Sequence, residues 1–267
     1  RQRQMCIRDS GGSHDDPDFH NWTFKADNDW YDQLLRTAAI TNHSLNINGG
    51  SEKAVYSVGV SYLYQDGIMD VDNNYKRMNF RGSVDYDATN WLKVGFNGVF
   101  SNSTQQVPNN QAWQKAFNCP PIVALYDDEY NEKGFPDKFG SPDAIGYTSN
   151  FYNPIATAKY FDSSKENYQV LSNFYAQIDF IPSKLNFKTN YSYSFLSTQG
   201  REFTPKYYVS SWQQSATTQL TKNENKYYNY IWDNTLTYND QWGKHRFCAM
   251  AGYSMRQEQW RMFEGKA

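Results

Sequence analysis

Hydrophobic and polar residues alternate along most of the chain. From Arg77 to Tyr86 the even positions are Met78, Phe80, Gly82, Val84 and Tyr86, while the odd ones are Arg77, Asn79, Arg81, Ser83 and Asp85. One face is apolar or aromatic and the other polar, as in a strand whose two sides meet different surroundings. The same period runs through Tyr56, Val58, Val60, Tyr62 and Tyr64, and through Leu92, Val94, Phe96, Gly98 and Phe100. It returns in Tyr168, Val170, Phe174, Ala176, Ile178 and Phe180, then in Leu185, Phe187, Tyr191, Tyr193 and Phe195. The last two series are Tyr228, Tyr230, Trp232, Leu236, Tyr238 and Phe247, Ala249, Ala251, Tyr253, Met255. With the shorter His43, Leu45, Ile47, the pattern predicts about eight strands, most of ~10–14 residues, against ~5–6 for an ordinary globular strand.

The connections alternate too. Gly49-Gly50-Ser51-Glu52, Asp87 to Asn90, Ile181-Pro182-Ser183 and Asn239 to Gly243 are tight, and between them fall longer links near residues 66–75, 103–165 and 198–226. This places the tight turns at one end of the sheet and the long loops at the other, as in outer-membrane barrels. A strand tilted across a bilayer needs ~9–11 residues. Lipid offers no hydrogen-bond partner, so a membrane sheet must close on itself, with its apolar face outward and its polar face toward a wet lumen. Tyr86, Trp91, Phe180, Tyr238 and Trp242 fall near the tight turns, where amphipathic rings suit the headgroup level. Tyr and Trp are also good strand formers, so the segregation of loop lengths carries this reading. The expected fold is all-β: an antiparallel up-and-down meander forming part of a transmembrane β-barrel, with long extracellular loops.

Composition agrees. Of 267 residues, 8 are Trp, 22 Tyr and 17 Phe, an 18% aromatic share that excludes a disordered chain. The mean hydropathy is −0.84 although only 20% of residues are charged, so polarity comes from amides and hydroxyls. Lys and Arg number 26 against 28 Asp and Glu, without the basic excess of a nucleic-acid surface. No apolar run reaches the ~20 residues of a membrane-spanning helix. Three scattered cysteines, Cys6, Cys119 and Cys248, form neither a disulfide framework nor a zinc site.

Residues 1–10, RQRQMCIRDS, follow no element pattern and resemble translated adapter sequence, so they are set aside as non-native. Residues 11–40 read as a polar lead-in with a short amphipathic piece around Trp30 to Arg36, and 41–267 as the barrel segment. Within the long loop 103–165, Gln111 to Phe117 suits a short helix, and aromatics abound. Trp113, Phe117, Tyr126 and Tyr130 are the candidate contacts for substrate or partner, because aromatic faces stack on sugars and anchor interfaces.

No catalytic constellation or cofactor motif emerges. His14, His20, His43 and His245 lack metal-ligand spacing. Asp70, Asp72 and Asn74 begin like a calcium loop, but Tyr75 replaces the required Gly and Arg81 the closing Glu. Asp127-Asp128-Glu129, with Asn131 and Glu132, reads as a solvated acidic loop. Arg77, Arg81 and Asp85 share a polar face and are expected to join an internal salt-bridge network.

Ordered short motifs then carry a resemblance. Asp29-Trp30-Tyr31-Asp32, Arg36-Thr37-Ala38, Asn42-His43-Ser44-Leu45 and Gly49-Gly50-Ser51-Glu52-Lys53 resemble the barrel start of SusC/RagA-type TonB-dependent outer-membrane transporters of Bacteroidetes. Tyr56-Ser57-Val58, Gln65-Asp66-Gly67-Ile68, Asn79-Phe80-Arg81 and Trp91-Leu92-Lys93-Val94-Gly95 continue it. The resemblance implies a 22-stranded barrel with an N-terminal plug, of which this chain would be a fragment. It further implies contact with TonB through a missing N-terminal region, a SusD-like lipoprotein as lid, and import of glycans or peptides across the outer membrane of a Gram-negative bacterium. It implies no enzyme activity and no cofactor. Two other readings remain: a complete small eight-stranded outer-membrane barrel, and a soluble all-β carbohydrate-binding module.

Overall fold

The computed structural model describes residues 26–127, 137–145 and 151–267. Residues 1–10, Tyr130 and most of the acidic loop after Asp127 lie outside them. Eight strands form one antiparallel sheet: β1 (Ile40–Gly50), β2 (Ala54–Asp66), β3 (Asn74–Asp87), β4 (Leu92–Gln106), β5 (Asp162–Ile181), β6 (Leu185–Thr204), β9 (Gln219–Trp242) and β10 (His245–Lys266). Each pairs with its sequence neighbour, except that a two-stranded ribbon, β7 (Tyr207–Tyr208) with β8 (Gln214–Ser215), interrupts the run between β6 and β9. The first and last strands of the order do not pair with each other. The sheet is therefore an open meander, a partial barrel rather than a closed eight-stranded one.

Register explains the alternation. Leu45, Val60, Phe80, Phe100, Val170, Phe195 and Tyr228 lie opposite one another in turn across seven strands. A second row joins Tyr56, Val84, Phe96, Phe174, Tyr191, Trp232 and Met255. On the other face Asn48, Ser57, Ser83, Asn97, Asn173 and Ser192 make a polar row, with side-chain bonds from Ser57 to Asn48 (2.5 Å) and from Asn173 to Ser192 (2.8 Å). Neighbouring rings touch along the apolar rows, as in Phe96 and Phe174 with centroids 4.7 Å apart. Among the described residues no second sheet covers them: Phe80 is 48% and Val84 38% exposed, and Val94 and Phe96 are half-buried. A sandwich would bury such residues face to face.

All four tight turns, at 51–53, 88–91, 182–184 and 243–244, fall on one rim, and the links 67–73, 107–161 and 205–218 on the other. Ser51 closes the first turn by accepting from Lys53 N and Ala54 N. Gly243, with φ +63°, supplies the left-handed backbone that a two-residue hairpin loop demands.

The strands are longer than the alternation predicts, reaching 20 residues in β5 and β6, 24 in β9 and 22 in β10. The cause is visible on the apolar face. From Leu92 to Phe100 the apolar rows extend ~27 Å along the strand, or ~21 Å normal to a membrane at a ~40° tilt, close to the ~25 Å band of an outer-membrane barrel. Beyond it the same face carries Lys76, Glu166, Gln199 and Glu224 in one row. Pairing continues into water after the need for an apolar face has ended.

Arg77 and Arg81 depart from expectation. Both are exposed on the polar face, and among the described residues neither forms an ion pair. Asp85 instead accepts a hydrogen bond from the Tyr175 hydroxyl two strands away. The side chains adjoining the two arginines across the sheet are Leu63, Ser103, Gly59 and Val99, so no acid stands opposite either one.

Candidate functional site

The buried core does not lie in the sheet. It sits at the loop rim, built from Trp30, Leu34, Ala112, Ala116, Val123, Phe139, Ile155, Ala156 and Val209, with Cys119 among them. Three short helices contribute: α1 (Trp30–Leu34), α2 (Gln111–Asn118) and α3 (Pro154–Lys159). A single α-turn is marginal alone. Here Asp29 caps α1 by accepting from Tyr31 N and Asp32 N, and Trp30 and Leu34, four apart, bury the same side. Trp30 Nε1 donates to Pro120 O at 3.0 Å, and Asn28 Nδ2 to Val123 O at 2.7 Å. The lead-in is thereby clamped to the long loop. Arg36 adds a 2.8 Å bond to Asp66 and one to Gly67 O, tying the same lead-in to the link 67–73.

Asn153 and Gln213 hold the other two links together. Asn153, fully buried, caps α3 through its Oδ1 and donates from Nδ2 to Leu125 O and Gly140 O, both at 3.1 Å. Gln213, 2% exposed, accepts from Asn153 N and donates to Asn153 O and Thr157 Oγ1. Asp143 Oδ2 takes both N–H and hydroxyl of Ser211 at 2.9 Å. Gly140 runs so close to Ala124 that a Cβ would stand 2.0 Å from its carbonyl oxygen; only glycine fits there.

Aromatic rings line this rim in a chain. Tyr126 stacks on Phe139, Phe139 meets Tyr160 edge-on, and Tyr160 stacks on Tyr207 at 4.3 Å. Burial raises the phenol pKa of Tyr160 and of Tyr207, Tyr160 being further raised by its hydrogen bond to Asp137. Burial also pushes the Cys119 thiol up to about 12, so it is an inert core group. Beside the chain of rings opens a cleft of about 190 Å³, walled by Asn109, Gln111, Lys115, Tyr152, Thr204 and Tyr207 among others. Desolvation lowers the Lys115 pKa, and its Nζ lies 3.6 Å from the centre of the Tyr152 ring.

Of the four residues singled out from sequence, three lie among the described residues. Trp113 is half-buried against the core and 6.0 Å from Tyr31. Phe117, on the next turn of α2, is 77% exposed. Tyr126 is half exposed and accepts from Lys159 Nζ at 3.3 Å. Tyr130 is outside the described residues. Trp212, exposed at the tip of the ribbon between β7 and β8, was not anticipated, since it sits in no alternating run. Nor was the change of face beyond the apolar band: in β10, Gln257, Gln259 and Arg261 continue the apolar side, while Trp260 and Met262 occupy the other. Trp260 packs on Tyr227 with centroids 4.3 Å apart. Among the described residues no group of three or more His, Cys, Asp or Glu is placed to hold a metal.

No family model matches the chain. Curated relatives include TonB-dependent receptor P3 of Formosa agariphila, 28% identical over 88% of this chain, and receptor P26 of the same organism, 28% identical over 90%. TonB-dependent receptor SusC of Bacteroides thetaiotaomicron is 31% identical over 48%. The chain spans 23% of the length of each Formosa relative and 13% of SusC. Among solved structures, the RagAB peptide importer in its open-open state superposes with a TM-score of 0.69 at 17% identity, covering 94% of this chain and 28% of that one. A further structure of the RagAB peptide transporter gives 0.65 at 18% identity, covering 91% and 27%. At such identity these likenesses speak for the fold. Together with the curated relatives and the ordered motifs from Asp29 to Gly95, they make the chain similar to a β-barrel segment of the SusC/RagA-type TonB-dependent receptors.

Proposed function

We propose that this segment forms part of the wall and outer mouth of an outer-membrane importer of glycans or peptides. Its apolar rows face lipid, its Asn- and Ser-rich rows face the lumen, and its loop rim faces the cell exterior. The whole receptor would work with a SusD-like surface lipoprotein and draw energy through TonB. The role assigned to this segment is passive and not enzymatic. The observation that carries the reading is the pair of continuous apolar rows, bounded by tight turns on one rim and a folded loop core on the other. Phe117 and Tyr126 are proposed to touch cargo or lid directly, Trp113 to hold α2 in place beneath them, and Tyr130 to lie in the same loop.

The test uses the full-length receptor in its own cells, with a membrane-impermeant maleimide. Phe117→Cys is expected to label from outside and Lys53→Cys only after lysis. Deleting the receptor is expected to abolish uptake of its glycan or peptide. Labelling of Lys53→Cys on intact cells, or unchanged uptake after deletion, would overturn the proposal.

A further inference from the structure

Among the described residues the cation in the cleft beside α2 has no counter-charge. Among the described residues Lys115 has no carboxylate partner; its ammonium rests on the Tyr152 ring, and desolvation alone displaces its pKa. None of the cleft's lining residues is acidic, and the nearby Asp137 is engaged by the Tyr160 hydroxyl. Partly burying an ammonium without an anion is unfavourable. The ring offsets some of that cost by cation–π attraction, but it accepts none of the three N–H donors. A bound anion would use them.

The other groups narrow the ligand. Gln111 and Thr204 present an amide and a hydroxyl, the amide of Asn109 being engaged by Gln111 N and Thr157 O, and Tyr152 and Tyr207 present aromatic walls. Amides and hydroxyls match sugar hydroxyls, and tyrosine faces match the apolar side of a pyranose ring. The lining offers neither an aliphatic pocket for a peptide side chain nor a carboxylate for a peptide amine. At about 190 Å³ the cleft has room for a single ring. Thr204 ends β6 on the same face as Ser192 and Asn190, so the cleft borders the mouth of the lumen.

We propose that this cleft binds one acidic sugar residue, with Lys115 gripping its carboxylate or sulfate and Gln111 and Thr204 its hydroxyls. The site deepens the importer reading and rests on it.

The experiment titrates the full-length receptor in detergent with D-glucuronate, galactose 6-sulfate, glucose and the dipeptide Ala-Glu, read by calorimetry or saturation-transfer NMR. Glucuronate or the sulfate is expected to bind at least tenfold more tightly than glucose or the dipeptide, a ~1.4 kcal/mol preference. The preferred arm identifies the anion. Lys115→Met is expected to erase the preference and Lys115→Arg to retain it. Equal binding of glucose, binding of Ala-Glu as tight as that of the sugar acid, or a preference that survives Lys115→Met would overturn the assignment. Uptake by cells carrying the unmodified receptor is measured alongside: normal uptake without anion preference removes only this site, whereas absent uptake removes the importer reading itself.

Discussion

Gln213 engages both backbone groups of Asn153, sixty residues earlier in the chain: its Nε2 donates to the carbonyl at 2.9 Å and its Oε1 accepts from the N–H at 2.8 Å. The pair is buried, and every polar atom in it has a partner. Through it the ribbon between β7 and β8 is stitched to α3, and through the Asn153 side chain to the strand-like crossing of Leu125 and Gly140.

Gln213→Leu keeps the volume and removes the partners. Asn153 N–H is then left without a partner, while Asn153 O and Thr157 Oγ1 keep their bond to each other, and at ~1–3 kcal/mol for a buried group left unsatisfied the loop rim should lose ~1–3 kcal/mol. Limited proteolysis of the receptor should cut within residues 107–161 sooner, while the heat-induced gel shift that reports an intact barrel stays. Unchanged cleavage would show that the bonds are redundant.

The two faces of β4 make opposite predictions. Phe96 lies mid-band on the apolar side, and Asn97 beside it on the polar side. Phe96→Arg should cost ~2–4 kcal/mol in the membrane and reduce the folded receptor recovered from outer membranes; Asn97→Arg should leave recovery near wild type. If both variants assemble equally, the assignment of faces is wrong.

Cys119 supplies a pH prediction. Its thiol is raised to about 12 by burial, while an unfolded cysteine titrates near ~8.5. The folded rim therefore keeps a proton that the unfolded rim releases. Its contribution is fully present below pH ~8.5 and declines as pH rises toward 12, by up to ~1.4 kcal/mol per pH unit. In a Cys6→Ser, Cys248→Ser background, a thiol reagent should react slowly at pH 8 and at the unfolding rate once the rim opens. Immediate reaction at pH 8 would show that Cys119 is accessible.

Phe117 separates stability from recognition. With 77% of its surface exposed, Phe117→Ser should change stability by no more than ~0.5 kcal/mol. As a proposed contact it should weaken lid or cargo binding about tenfold, measured by co-purification of the lid or by equilibrium binding. Unaltered binding would remove Phe117 from the contact surface.

Much of the wall was legible because lipid imposes a simple rule. Phe80, Val84, Val94 and Phe96 must all point one way, and that requirement writes itself into the chain at period two. The full length of β9 was not legible, since its outer third from Gln219 to Lys226 faces water on the outer side and follows no apolar rule. The loop core was hidden for another reason. Asn153 and Gln213 meet through matched amide geometry across sixty residues, and no local spacing records such a meeting. Arg77 and Arg81 illustrate the converse: sharing a face with Asp85 suggested pairing, but a tyrosine from β5 reached the carboxylate first.

The overhang of β6, β9 and β10 beyond the apolar rows has an evolutionary consequence. Insertion depends on the greasy girdle below, while the collar above stands in solvent, held by its own backbone ladder and a separate folded cap. Substitutions in the collar and cap escape the thermodynamic toll that hydrocarbon exacts, so variation there leaves the seating of the wall undisturbed.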